Sequence, residues 1–313
     1  MDRKRIIRTI IPWIIYGLVA IFIYLTVRDN LGELKQYRVD RPWFLLGAVV
    51  AFSLQFLSNA VIWGKLMRYV GETVSIWHSI YVYVSSFLVR YIPGNVWAVA
   101  ARAVMNRTYG VSMTSSIWGW VIENISFLLV GLCLGLFVLT GFDAFSGEVV
   151  VVVVLVLPLC VLFLFRYALL ERIVRFLVRR KLLGVVSDEI SPFVISYMDR
   201  IKLVLLFLIP WMFFSAQFIF VILAIQDVAF SDLVFLVGVN SLAWSIGYIS
   251  IVTPSGTGVR EGLIILTLSV SGVVSEVDAV VIAILARMVT IVSEVLVFVI
   301  IKGIYIIKSN RKS

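Results

Sequence analysis

Histidine occurs once in the 313 residues, cysteine twice, and charged residues make up only 14% of the chain. These shortages exclude whole classes of chemistry. The single His78 and the two separated cysteines, Cys133 and Cys160, supply neither a metal-ligand cluster nor a disulfide framework. Both cysteines lie in apolar runs and read as small buried hydrophobes. No phosphate loop or nucleophile elbow is found, so no metal, no cofactor and no catalytic residue is expected. A soluble domain carries about 25% charged residues. Here 62% of residues are hydrophobic and the mean hydropathy is +1.07, a composition that a bilayer solvates and water does not. The fold class that follows is all-α: a polytopic integral membrane protein. The net charge of +9 does not imply a nucleic-acid partner, because the basic residues punctuate apolar spans instead of clustering on a polar domain.

Arg3, Lys4, Arg5 and Arg8 precede an apolar run from Ile10 to Val27. At about 1.5 Å per residue the run just crosses about 30 Å of hydrocarbon. No small-residue cleavage site follows it, which favours an anchor over a signal peptide. Further spans are expected at 42–63, 117–139, 149–165, 203–225, 233–252 and 279–301, with a shorter piece at 262–275. Residues 76–105 form an apolar stretch interrupted by Arg90-Tyr91-Ile92-Pro93-Gly94-Asn95, whose two arms are too short to cross; they are expected to form a re-entrant hairpin. The total is about eight transmembrane helices plus that hairpin.

Loops 140–148, 226–232 and 275–278 hold acidic residues and no Lys or Arg, whereas 166–202 is strongly basic. The positive-inside bias places 166–202 and both termini in the cytoplasm, in a multi-pass protein of the cell (plasma) membrane. Loop 28–41 is the exception, with four basic and three acidic residues on the outer side. Residues 1–313 read as a single transmembrane domain, and 168–202 as a cytoplasmic amphipathic connector too short for its own core. Ser191-Pro192 is expected to cap the helix that follows.

Charge inside a membrane costs about 2.5–3.5 kcal/mol per group on insertion scales and persists where it is paired or lines a polar cavity. Glu123, Arg287 and Glu294 are such residues. The expected spans place Glu123 six residues, about 9 Å, from the cytoplasmic side, and Glu294 seven residues from the end of its span. Arg90, Arg102 and Arg260 are the nearest cations by topology. Arg287 and Glu294 share a helical face but lie about 10 Å apart, too far for an easy pair, so Arg287 needs another partner or an anion. A second break, Thr253-Pro254-Ser255-Gly256-Thr257-Gly258-Val259-Arg260-Glu261, permits tight turning, and Ser255 or Thr257 is placed to cap a helix whose amides face an anion. Asn95 stands similarly after Pro93 and Gly94. Two broken elements, each followed by an arginine, point to a binding site.

The sequence Arg90-Tyr-Ile-Pro-Gly-Asn-Val-Trp with Arg102 after it, Glu123, Pro254-Ser-Gly-Thr-Gly-Val-Arg-Glu261 and Arg287 resemble the transmembrane, flippase-like region of the lysylphosphatidylglycerol synthase family. The likeness covers about 45–301. Asn124 stands where many relatives have arginine. No polar domain follows Lys308, so the resemblance implies the lipid-handling half without the soluble synthase half. The function this implies is transfer of a phospholipid or lipid-linked anionic headgroup between leaflets, without enzyme activity. The expected partner is the membrane lipid, with a soluble synthase or transferase and a homo-oligomer as further partners. Two competing readings remain: a membrane transferase using Glu123, Glu261 or Glu294 as general base, and a subunit serving a separate soluble transferase. The substrate-binding set is Arg90, Pro93, Gly94, Asn95, Arg102, Glu123, Pro254, Gly256, Gly258, Arg260, Glu261, Arg287 and Glu294.

Overall fold

The computed structural model describes residues 39–91, 96–139, 196–249 and 258–310. They form α1 (Trp43–Tyr69), α2 (Ile76–Phe87), a 3-10 turn (Leu88–Tyr91), α3 (Val96–Arg107), α4 (Met113–Leu139), α5 (Tyr197–Leu223), α6 (Phe230–Ile249), α7 (Val259–Ser271) and α8 (Glu276–Asn310). No strand occurs among the described residues. The fold is all-helical, with five helices long and apolar enough to cross a membrane: α1, α4, α5, α6 and α8. The expected spans 10–27 and 149–165, and most of the connector 168–202, lie outside the described residues.

The five long helices match the expected spans in identity, but most run past the expected limits. Polar and charged residues at the ends of an apolar run stay helical because water solvates them there. α8 has 35 residues against the 23 of the expected span, and its last turns fold onto α2. There Lys302 Nζ donates to the Tyr81 hydroxyl at 3.3 Å, and Tyr305 stacks on Tyr81 with ring centroids 3.8 Å apart. α5 begins at Tyr197, and its N-cap is Ser196, which accepts from the Asp199 amide at 3.1 Å; Ser191-Pro192, where a cap was expected, lie outside the described residues.

The interrupted segment 76–105 folds as two short helices, α2 and α3, of 12 residues and about 18 Å each. They run antiparallel: the His78 ring near the start of α2 lies 4.3 Å from that of Tyr109 just past α3, while Ser86, late in α2, accepts from Arg102 on α3. Ser75 caps α2 by accepting from the His78 amide at 3.2 Å, so His78 serves the helix start. The expected short span at 262–275 is α7, 13 residues or about 20 Å, shorter than the hydrocarbon thickness.

The loops segregate to two ends. At one end Arg41 pairs with Asp227, the Arg41 amide donates to Ala224 O, and Gln226 Nε2 donates to Val273 O at 3.0 Å. The hydrogen bonds from Arg41 hold the Asp227 carboxyl below its usual range. Loop 28–41, the exception to the charge pattern, thus ends on an acidic partner. At the other end the Ser112 amide donates to Glu72 Oε1, and Tyr109 and Tyr305 share a hydrogen bond of 3.2 Å.

Outward faces carry apolar residues at helical spacing, such as Leu205, Leu208, Ile209 and Met212 on α5, as lipid-facing surfaces should. Cys133 belongs to this exposed surface of α4, which corrects the expectation that it is buried: a bilayer accepts an outward thiol as readily as a core does. Cys160 lies outside the described residues.

Between α4, α5 and α6 the packing depends on an aromatic cluster. Trp211 stacks on Phe127 at 4.6 Å, donates Nε1–H to Phe127 O at 2.9 Å and meets Trp244 edge-on. Gly131 admits this arrangement, since a Cβ there would stand 2.2 Å from Trp211 Cζ2 and 2.6 Å from Ser245 Oγ. Gly131→Ala should therefore cost about 1–3 kcal/mol by overpacking, whereas Gly303→Ala, which meets open space, should be neutral or stabilising. Thermal unfolding of the two variants in detergent checks this; equal midpoints would mean that the close approach does not constrain the packing.

Candidate functional site

A cavity of about 310 Å³ opens between the α2–α3 hairpin and helices α1, α4, α5, α6, α7 and α8. Four arginines line it: Arg90 from the 3-10 turn, Arg102 from α3, Arg260 from α7 and Arg287 from α8. Arg90, which flanks the first interruption of the chain, and Arg260, which flanks the second, both line this space.

Arg102 and Glu123 are buried and paired, Nη1 to Oε2 at 2.6 Å. The other carboxylate oxygen accepts from the Tyr83 hydroxyl at 2.7 Å, and Arg102 Nε donates to Ser86 Oγ at 3.2 Å. The guanidinium also lies over the rings of Trp63 and Tyr83, at 4.6 and 4.2 Å. α4 begins four residues before the expected span, so Glu123 stands ten residues, about 15 Å, into its helix, deeper than the expected 9 Å. This network fastens both arms of the hairpin to α4.

Arg90 pairs with Glu294, which is fully buried on α8, and lies over Phe87 at 4.1 Å. Glu294 is sixteen residues from the last residue of α8, not seven from its end. Arg287 finds Glu261 on α7, Nη1 to Oε1 at 3.9 Å. The other Glu261 oxygen accepts from the Gly258 amide at 2.7 Å and so caps α7. Gly258 takes φ +88°, a left-handed conformation that glycine adopts without steric cost. The N-cap is thus Gly258 with Glu261 reaching back, in place of the hydroxyl cap expected from Ser255 or Thr257. Pro93, Gly94, Asn95, Pro254, Ser255, Gly256 and Thr257 lie outside the described residues.

Arg260 differs from the other three arginines. It is 5% exposed, its Nη2 is buried without a hydrogen-bond partner among the described residues, and its guanidinium faces Phe214 at 5.1 Å. Its charged neighbours are Glu261 and Glu294 on one side of the balance and Arg287 and Arg90 on the other.

Sequence reasoning missed the uncharged part of the wall. Gln55 and Asn59 project from α1 into the cavity, both 7% exposed, and Asn59 Oδ1 has no partner among the described residues. The signal was available: two amides four residues apart share one helical face within an apolar span. Trp120, Trp244 and Tyr248 complete the wall, with Tyr248 donating to Asn124 Oδ1. Asn124, which stands where many relatives have arginine, thereby joins α4 to α6.

The family model for the lysylphosphatidylglycerol synthase TM region matches residues 12–297, and the chain belongs to that family. Membership of that family points to a membrane protein of lipid metabolism. Comparison with curated proteins gave no match.

Because Arg102 and Glu123 compensate each other in a low-dielectric wall, Glu123→Gln should lower stability by about 3–5 kcal/mol, the usual cost of orphaning one member of a buried pair. Adding Arg102→Met should recover much of that loss. Thermal unfolding of the single and double variants in detergent tests the pair; a double variant as unstable as the sum of the singles would contradict mutual compensation.

Proposed function

We propose that this family member binds the anionic headgroup of a membrane lipid in the central cavity and carries it between leaflets while the acyl chains stay in the bilayer. One observation carries the reading: the buried Arg260 guanidinium faces the cavity, and its Nη2 has no hydrogen-bond partner among the described residues. A buried guanidinium with no ion pair among the described residues is costly, so its persistence supports an anion as ligand. A phosphate group meets that need with the planar, two-pronged geometry that guanidinium favours.

In this reading α2 and α3 form a re-entrant hairpin, and the α6–α7 break brings Arg260 to the same depth. The basic loops and both termini face the cytoplasm of the cell membrane. The protein acts as a carrier and not as an enzyme. Glu123, which lines the cavity, is engaged by Arg102 and Tyr83, and the carboxylates paired with lining arginines are engaged as well, Glu294 by Arg90 and Glu261 by Arg287 and the Gly258 amide. Such engagement supports positioning of arginines over general-base work. A soluble transferase working beside the chain would deliver or modify the lipid outside this cavity.

Arg260→Gln should reduce translocation of a labelled anionic phospholipid in liposomes by about tenfold or more, the loss of a hydrogen bond to a charged group of about 1.5–3 kcal/mol. Its thermal stability should stay level or rise, since a buried charge without a direct ion pair among the described residues is removed. Undiminished translocation by this variant would contradict the reading.

A further inference from the structure

Two left-handed glycines join the α2–α3 hairpin to the helices before and after it. α1 ends around Gly71, at φ +82°, where the Glu72 amide donates to Met67 O at 2.9 Å. α3 is followed by the same arrangement around Gly110, at φ +81°, where the Val111 amide donates to Asn106 O at 3.2 Å. A Cβ at either glycine meets nothing within 4 Å, so both serve the backbone turn and not the packing. The Ser112 amide donates to Glu72 Oε1 at 3.1 Å, which brings the two joints side by side. The hairpin thus leaves and rejoins the bundle through a pair of adjacent, uncrowded joints.

Its side-chain attachments are of two kinds. Within the bundle it is held by Arg102 with Glu123 and Arg90 with Glu294, ion pairs whose carboxylates are buried. Near the joints it is held by the last turns of α8. Tyr305 stacks on Tyr81 with ring centroids 3.8 Å apart and planes 14° from parallel, and it shares a hydrogen bond with Tyr109. Lys302 Nζ donates to the Tyr81 hydroxyl, and Lys308 Nζ lies 4.0 Å over the Trp77 ring. Lys302, Tyr305 and Lys308 recur every three residues, so one face of α8 grips both ends of the hairpin, while Ile300, Ile304 and Ile307 are exposed on the other. Stacked tyrosines and cation–π contacts are individually weaker than a buried ion pair, and water can replace the hydrogen bonds. This grip can open while every helix stays folded.

We infer that the last turns of α8 are a latch on the hairpin. With Tyr305 bound to Tyr81 and Tyr109, the hairpin is held against α8. When Tyr305 withdraws, the hairpin tilts about the line through Gly71 and Gly110. Its arms carry Tyr83 and Arg102 into the cavity wall, so the tilt reshapes the cavity. The latch is read from these contacts alone, whereas its role in transport rests on the proposed carrier function.

Two measurements on the full chain in liposomes, with Cys133 and Cys160 replaced by alanine, test the latch. In the first, spin labels on Val104→Cys in α3 and Ile300→Cys in α8, both exposed positions, report the distance between hairpin and α8. Tyr305→Ala should raise the ratio of a longer to a shorter population by about two- to tenfold, the shift that one aromatic pair supplies. Tyr305→Phe, which keeps the stack and loses the hydrogen bond to Tyr109, should lie between Tyr305→Ala and the parent. In the second, Tyr81→Cys and Tyr305→Cys are tethered by a short bifunctional thiol reagent. Translocation of a labelled anionic phospholipid should fall by about tenfold or more and return on reduction, because a motion required for turnover is blocked. Distances unchanged in both Tyr305 variants overturn the latch whether or not the chain carries lipid. A tethered chain that translocates at the untethered rate also overturns it and leaves the carrier function standing. If the untethered chain moves lipid no faster than protein-free liposomes, the carrier function falls, and the distances alone decide whether the latch exists.

Discussion

A guanidinium inside a membrane must be neutralised, and the architecture around this cavity follows from that requirement. Each carboxylate joins elements that are separate in the chain. Arg102 and Glu123 tie the hairpin to α4, Arg90 and Glu294 tie its tip to α8, and Arg287 and Glu261 tie α8 to α7. The short helices α2, α3 and α7 cannot span hydrocarbon, so these charge pairs, each compensated inside the protein, are among the contacts that hold their broken ends against the long helices. Arg260 is the departure from this rule, and a departure of that cost in an otherwise compensated wall marks where the protein interacts with something else.

The apolar packing makes the charge pairs possible. Phe127, Trp211 and Trp244 fill the space where α4, α5 and α6 meet, and Gly131 lets Trp211 approach the backbone of α4. That cluster sets the separation of α4 and α6, so that Tyr248 reaches Asn124 and the wall closes beside Glu123. The ionic side of the cavity is thus positioned by contacts that carry no charge. Exposed apolar faces elsewhere need no partner other than lipid, which is why a protein with 14% charged residues can place four arginines in one cavity.

Much of this was legible beforehand. Hydropathy identified the five long described helices, because bilayer thickness imposes a length that sequence must meet. It misjudged their ends: α8 continues nine residues beyond the expected limit of 301, since amphipathic turns carrying Lys302 and Lys308 pack on Tyr81 and Trp77 instead of dissolving into a loop. Cost arguments found the buried charges, and helical spacing correctly separated Arg287 from Glu294. Spacing could not reveal that Glu261 reaches Arg287 from another helix, because such pairing is a property of tertiary packing. Capping showed the same limit: Gly258 with Glu261 did the work expected of a nearby hydroxyl. The uncharged wall of Gln55 and Asn59 went unread although its signal was present, since attention to charge passed over two amides in an apolar helix.

The central claim is that Arg260 holds the phosphate of a lipid headgroup within the protein. Solid-state dipolar recoupling between lipid phosphorus and guanidinium carbon, in bilayers containing phosphatidylglycerol, tests it most directly, with the Arg260→Gln protein identifying the Arg260 signal by its loss. A charge-assisted hydrogen bond of about 2.8 Å requires phosphorus within about 5 Å of the Arg260 Cζ. The account predicts strong dephasing of that signal. Dephasing confined to arginines that survive the substitution, with none lost alongside Arg260, would contradict it.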